Sequence, residues 1–162
     1  MSLHYKQFKA TGHPKPVTTF KITDNSWRIY LLCTSSDLNS CCIFDDARSL
    51  EQRYRSQYKN MMMVLGQRCE SGKPLSIFYD EKGCHPILNI KIHDREEKIW
   101  RIRQGDLRLC FVYLPPEKRI ILLRLFVKKS DKLKSKESSS LESLAKQVLT
   151  DDVLTFNKRV IP

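Results

Sequence analysis

Four arginines sit inside hydrophobic runs in one stretch of the chain: Arg101 and Arg103 in IWRIR, Arg108 in LRLCFVY, and Arg124 in RIILLRLFV. Lys128 and Lys129 close the last run and Lys132 follows. An arginine within a strand pattern is costly unless it faces water or an anion. The strand period of two puts Arg101 and Arg103 on one face, opposite Trp100 and Ile102. Arg108 falls on the face of Cys110 and Val112, and Arg124 on the face expected to carry Leu122 and Phe126. Paired as consecutive hairpins, these strands converge guanidinium groups on one side of a sheet. Guanidinium matches phosphate oxygens in two-pronged geometry and stays charged at any cellular pH. The chemistry indicated is recognition of a phosphate backbone by Arg101, Arg103, Arg108, Arg124, Lys128, Lys129 and Lys132.

The elements that must position these groups follow from periodicity. Residues 1–26 hold Gly12, Pro14 and Pro16 with little pattern and read as an N-terminal arm, with an edge strand possible over Val17 to Ile22. Trp27 to Cys33 reads as a strand. From Asp45 to Glu70 the period becomes helical, with Leu50, Tyr54, Tyr58, Met61, Met62 and Leu65 on one face. Asp45 or Asp46 can cap its start, and either one long helix or a pair with a break fits. After Pro74 come short strand-like pieces at 75–79, 87–93, 99–103, 107–114 and 119–127. The Gln104-Gly105-Asp106 and Pro115-Pro116-Glu117-Lys118 joints favour antiparallel hairpins. A charged linker leads to a helix over Ser140 to Val148. The expected division is an arm (1–26), one domain (27–150) and a tail (151–162). Strand, helix, a run of strands and a last helix make an α+β domain.

Lys plus Arg number 29 against 18 acids, a net charge of +11, which calls for an anionic partner. From Lys91 to Lys136 there are 14 bases and 6 acids, so most of the excess lies in one segment and argues for a binding face. The six cysteines show no C-x-x-C spacing. With no leader pattern over Met1 to Phe20 and no apolar run of transmembrane length, they read as reduced thiols of a cytoplasmic protein. Membrane binding is disfavoured because Lys128 to Lys136 lacks interleaved aromatics. No metal or cofactor is expected.

The string IWRIRQGDLRLCFVY, followed by IILLRLFVKK and a helix containing Leu144-Ala145-Lys146, resembles the RelE/HigB superfamily of bacterial toxins, and its phage-derived, HigB-like branch above all. Gly72-Lys73-Pro74-Leu75 after the helical segment resembles that branch too. The resemblance covers Trp27 to Val148 loosely and Ile99 to Lys129 well. It implies a small, curved, mainly antiparallel sheet, with an N-terminal helix or helical hairpin packed on one side and a short C-terminal helix. The implied function is the toxin of a type II toxin–antitoxin system. Such a protein is a metal-independent mRNA endoribonuclease acting on the ribosome and silenced by an acidic antitoxin. The ribose 2′-OH attacks the adjacent phosphate, and the protein positions it and stabilises the growing charge.

Carried across residue by residue, the resemblance puts Arg108 on the scissile phosphate and gives Arg103 a positional role. Arg101 stands where relatives carry a glutamate or lysine active in proton transfer, and Lys129, with Lys128 beside it, matches a basic residue ending the last strand. The chain departs from the family by having no Tyr or His after Tyr113. Guanidinium is a poor general base. His85 and His93 are the histidines nearest the strands, and His93 is the candidate proton shuttle. The competing expectation is a non-catalytic basic module that binds RNA, the ribosome or an acidic antitoxin-like partner. A gyrase-directed toxin of the related ParE branch has no positive sign in the sequence.

Overall fold

The computed structural model describes residues 3–11, 18–128 and 135–162; Lys129 and Lys132 lie outside them. Nine strands and four helices occur among these residues: β1 His4–Phe8, β2 Ala10–Thr11, β3 Thr18–Thr19, β4 Arg28–Cys33, α1 Cys42–Arg48, α2 Gln52–Cys69, β5 Cys84–Ile92, β6 Arg95–Gln104, β7 Leu107–Tyr113, β8 Arg119–Val127, α3 Ser135–Leu149, α4 Val153–Arg159 and β9 Val160–Ile161. The class is α+β, but the architecture corrects the expected one. One sheet has seven strands in the order β5-β6-β7-β8-β4-β1-β9, and β2 pairs separately with β3. It is mixed: β4 runs parallel to β8 and β1 parallel to β9, while the remaining pairs are antiparallel.

Helices cover both faces of this sheet rather than one. Tyr54, Met61, Met62 and Leu65 of α2 and Ile43 of α1 pack on Ile102, Leu109, Phe111, Ile120 and Leu122. On the other face Leu141, Ala145 and Val148 of α3 and Phe156 of α4 pack on Ile99, Cys110, Val112, Ile121 and Leu123. The cause is visible in the central strands. Leu107–Val112 of β7 and Arg119–Leu123 of β8 are buried at every residue, so neither face of these strands tolerates water.

Both chain ends belong to this sheet. The segment 1–26 supplies β1, which pairs with β4 from His4↔Cys33 to Phe8↔Ile29, and the segment 151–162 supplies α4 and β9. The pattern HYKQF is weakly apolar and reads poorly as a strand. Its place follows from the edge that β4 would otherwise leave open.

The helical region breaks into α1 and α2 at residues 49–51. Neither Asp45 nor Asp46 caps its start, because α1 begins at Cys42 with Cys41 as the residue before it. The strand expected over 75–79 is a single 3-10 turn at Leu75–Ile77. The helix expected over Ser140 to Val148 is α3, which starts earlier, at Ser135, and its face of Leu141, Ala145 and Val148 is buried.

Candidate nucleic-acid interface

Register turns the arginines into two rows across the sheet. His85 of β5 stands opposite Arg101 of β6, Arg101 opposite Cys110 of β7, and Cys110 opposite Arg124 of β8. One step further along, Arg103 stands opposite Arg108, and Arg108 opposite Phe126. Directly opposed residues share a face, here the α3 side, where Cys110 and Phe126 join the core. With strands about 4.8 Å apart, the first row spans roughly 15 Å. Leu122 is not on this face, because a bulge at Leu123 of β8 shifts the register between Cys110 and Phe111 and sends Leu122 into the opposite core.

The four guanidinium groups are not equivalent. Arg108 is 3% exposed, and its Nη1 donates to the carbonyls of Gly105 at 2.7 Å and Leu107 at 2.9 Å. Gly105 has φ of 56°, a left-handed conformation that suits glycine, so Arg108 braces the tight β6–β7 turn. Arg124 donates through Nε and Nη2 to Asp46, both at 2.8 Å. Asp46 also accepts the Leu125 N–H at 2.9 Å, closing the edge of β8 beyond the end of β4. This two-pronged pairing pushes the Arg124 guanidinium further up and keeps it charged. Asp46 was the candidate helix cap of the sequence pattern; its work is here.

Arg103 is exposed and Arg101 partly so. They lie two residues apart on β6, about 7 Å, and form the outward part of the cationic face. The Arg101 Nε is buried and bonded to no described group. Lys128 is exposed, and its backbone N–H donates to the Asp106 carbonyl at 2.7 Å, which sets it beside the same turn. Cys110, between Arg101 and Arg124, has its thiol pushed up to about 12 by burial, so it acts as a packed apolar side chain.

The two histidines stand at different distances from the arginine rows. His93 occupies the β5–β6 hairpin tip with φ of 54°, next to the Ile92↔Arg95 pair. Arg101 lies six steps along β6 from Arg95, so His93 stands about 20 Å from the arginine rows. His85 lies inside β5 and directly opposite Arg101. Burial lowers its pKa below the ordinary histidine value, and Arg101 lowers it further; Glu81 and the Lys82 backbone oppose the shift. The sequence pattern starts this strand at residue 87 and leaves His85 outside it. The missed signal is that Pro86 enters β5 at a register shift between Pro86 and Leu88.

Among the described residues no cluster of three or more His, Cys, Asp or Glu side chains could hold a metal ion. Nor, among the described residues, is any helix long and apolar enough to cross a membrane. No protein-family model matches the chain, and no curated protein matches it.

The Asp46 clamp makes a prediction of its own. Asp46→Ala leaves Arg124 and the Leu125 N–H without their acceptor and lowers stability by about 2 kcal/mol, discounted because Arg124 is partly exposed. Urea unfolding checks it; a midpoint equal to wild type contradicts the clamp.

Proposed function

We propose that this chain is a toxin-type endoribonuclease of the cytoplasm, related to the RelE/HigB superfamily its motifs resemble, that cleaves mRNA by attack of the ribose 2′-OH. The observation that carries the reading is the convergence of Arg101, Arg103 and Arg108 on one face of adjacent strands at the β6–β7 turn. Such a face binds the scissile phosphate and offsets the charge that builds on it as the phosphorane forms. Arg101 and Arg103 meet the RNA, while Arg108 holds the turn that aims them. The ribosome is the setting in which mRNA is presented, and an acidic antitoxin is the partner whose carboxylates match the face.

One observation favours the second reading, a basic module that binds RNA without cutting. The arginine that the motifs place on the scissile phosphate, Arg108, is 3% exposed and satisfied in part by backbone carbonyls.

Induction of the chain alone in a bacterial host, with mRNA ends mapped by primer extension, separates the readings. The nuclease gives growth arrest and cuts within translated frames, both relieved by Arg103→Gln. Intact messages and normal growth with folded, soluble protein leave only the binding surface. For binding itself, Arg103→Gln reduces the slope of log affinity against log salt by about one.

A further inference from the structure

We infer that His85 and Arg101 together form a subsite for one RNA phosphodiester, with His85 the acceptor of the 2′-OH proton. The inference rests on the ribonuclease reading and supplies the base which that reading lacks.

Two polar atoms on directly opposed residues carry it. His85 and Arg101 are directly opposed on β5 and β6. His85 Nδ1 and Arg101 Nε are both buried and bonded to no described group. A buried donor or acceptor left unmatched costs about 1–3 kcal/mol, and such atoms are rare enough in folded proteins to need a reason. Both side chains are only half-buried, so the rest of the imidazole and of the guanidinium stays open to a group with both an anionic oxygen and a hydroxyl. A phosphodiester beside a 2′-OH has both.

The surroundings suit the imidazole to accepting a proton. Arg101 faces it from β6, and together with burial disfavours the imidazolium, so the neutral ring prevails at neutral pH. Glu81, in the loop before β5, and the Lys82 backbone act the other way but do not reverse the shift. On the far side of Arg101, Cys110 is a buried thiol with the Glu137 carboxylate of α3 among its charged neighbours, and Arg124 is engaged by Asp46.

The step balances with no further reagent. The 2′-O–H bond breaks, its proton passes to the imidazole, and the 2′-oxygen forms a bond to phosphorus. The phosphorus–5′-oxygen bond breaks, and the 5′-oxygen takes a proton from the imidazolium or from water. The products are a 2′,3′-cyclic phosphate and a 5′-hydroxyl end. Arg101 donates to the phosphate oxygens as charge accumulates there.

The test uses the full chain and a defined RNA oligonucleotide, with a 2′-deoxy version of the same sequence as a probe that binds but cannot be cut. His85→Asn is expected to lower the cleavage rate by about 10²- to 10⁴-fold, with affinity for the 2′-deoxy probe within about twofold of wild type. The wild-type rate should fall on the acid side as His85 becomes protonated, and the residual activity of His85→Asn should lack that limb. His93→Asn, at the far hairpin tip, should match wild type in both. Cleavage by His85→Asn within a few-fold of wild type overturns the inference while leaving the nuclease reading intact. If wild type cuts nothing, the nuclease reading fails. The subsite then stands only if the 2′-deoxy probe shifts the His85 proton resonance upward in pKa, and it falls if the resonance does not move.

Discussion

Arg101→Ala is expected to abolish most RNA cleavage, lowering the rate by about 10²- to 10³-fold, while leaving the melting temperature close to wild type. The first figure follows from the loss of one preorganised donor to a developing oxyanion. The second follows from the local bonding. The Arg101 Nε is already buried with no described partner, so truncation removes an unmet donor rather than a bond. Arg108→Ala cannot make this separation. Its guanidinium carries the Gly105 and Leu107 carbonyls at the β6–β7 turn, so its loss disturbs turn and site together. Cleavage by Arg101→Ala at the wild-type rate would remove the arginine rows from the chemistry.

Phe156→Ala has the largest expected effect on the fold, a loss of about 3–5 kcal/mol in urea unfolding. The Phe156 ring lies 4.4 Å from the Tyr5 ring and meets Tyr30 edge-on at 5.0 Å. It also lies 4.2 Å beneath the guanidinium of Arg119. Arg119 is 2% exposed, and its Nε and Nη1 are bonded to no described group; its Nη2 donates to the Pro115 carbonyl at 3.3 Å. The face of Phe156 is therefore much of what compensates a buried cation. Removing it leaves a cavity and a stranded charge at once. The same ring holds α4 against β1, where the Tyr5 hydroxyl donates to Asp151 at 2.7 Å and Arg159 pairs with that carboxylate at 3.0 Å. Burial and the Asp151 carboxylate push the Tyr5 hydroxyl well above its ordinary value, so this bond persists across the working pH range. A loss below about 1 kcal/mol would contradict this account of the C-terminal segment.

The middle of the fold was legible because its strands carry strong periodicity and clear turns. β6, β7 and β8 fall within a few residues of the expected positions, and Gly105 and the Pro115-Pro116 pair stand where hairpins turn. Burial on both faces was also written in β7, whose LRLCFVY run is nearly continuous rather than alternating. The resemblance implies a one-sided sheet instead. β1 and β9 were not legible, since HYKQF is weakly apolar and β9 is two residues long. Both depend on neighbours distant in sequence.

At the site, the shared face of Arg101 and Arg103 followed from the period of two, and Arg108 joined it through the β6–β7 hairpin pairing. Their different exposures did not. The Arg124 pairing depends on a bulge in β8 and on a carboxylate 78 residues away. The places of the two histidines depended on hairpin register: β5 starts at Cys84, so His85 enters the strand, and His93 becomes the turn.

The most direct test of the central claim is the chemistry of the RNA ends left by the purified chain on a single-stranded oligonucleotide in the presence of EDTA, with and without ribosomes. The account predicts 2′,3′-cyclic phosphate and 5′-hydroxyl ends that disappear in Arg101→Ala. Intact RNA under every condition, from folded protein that still binds the strand, would contradict it and leave the arginine face as a binding surface alone.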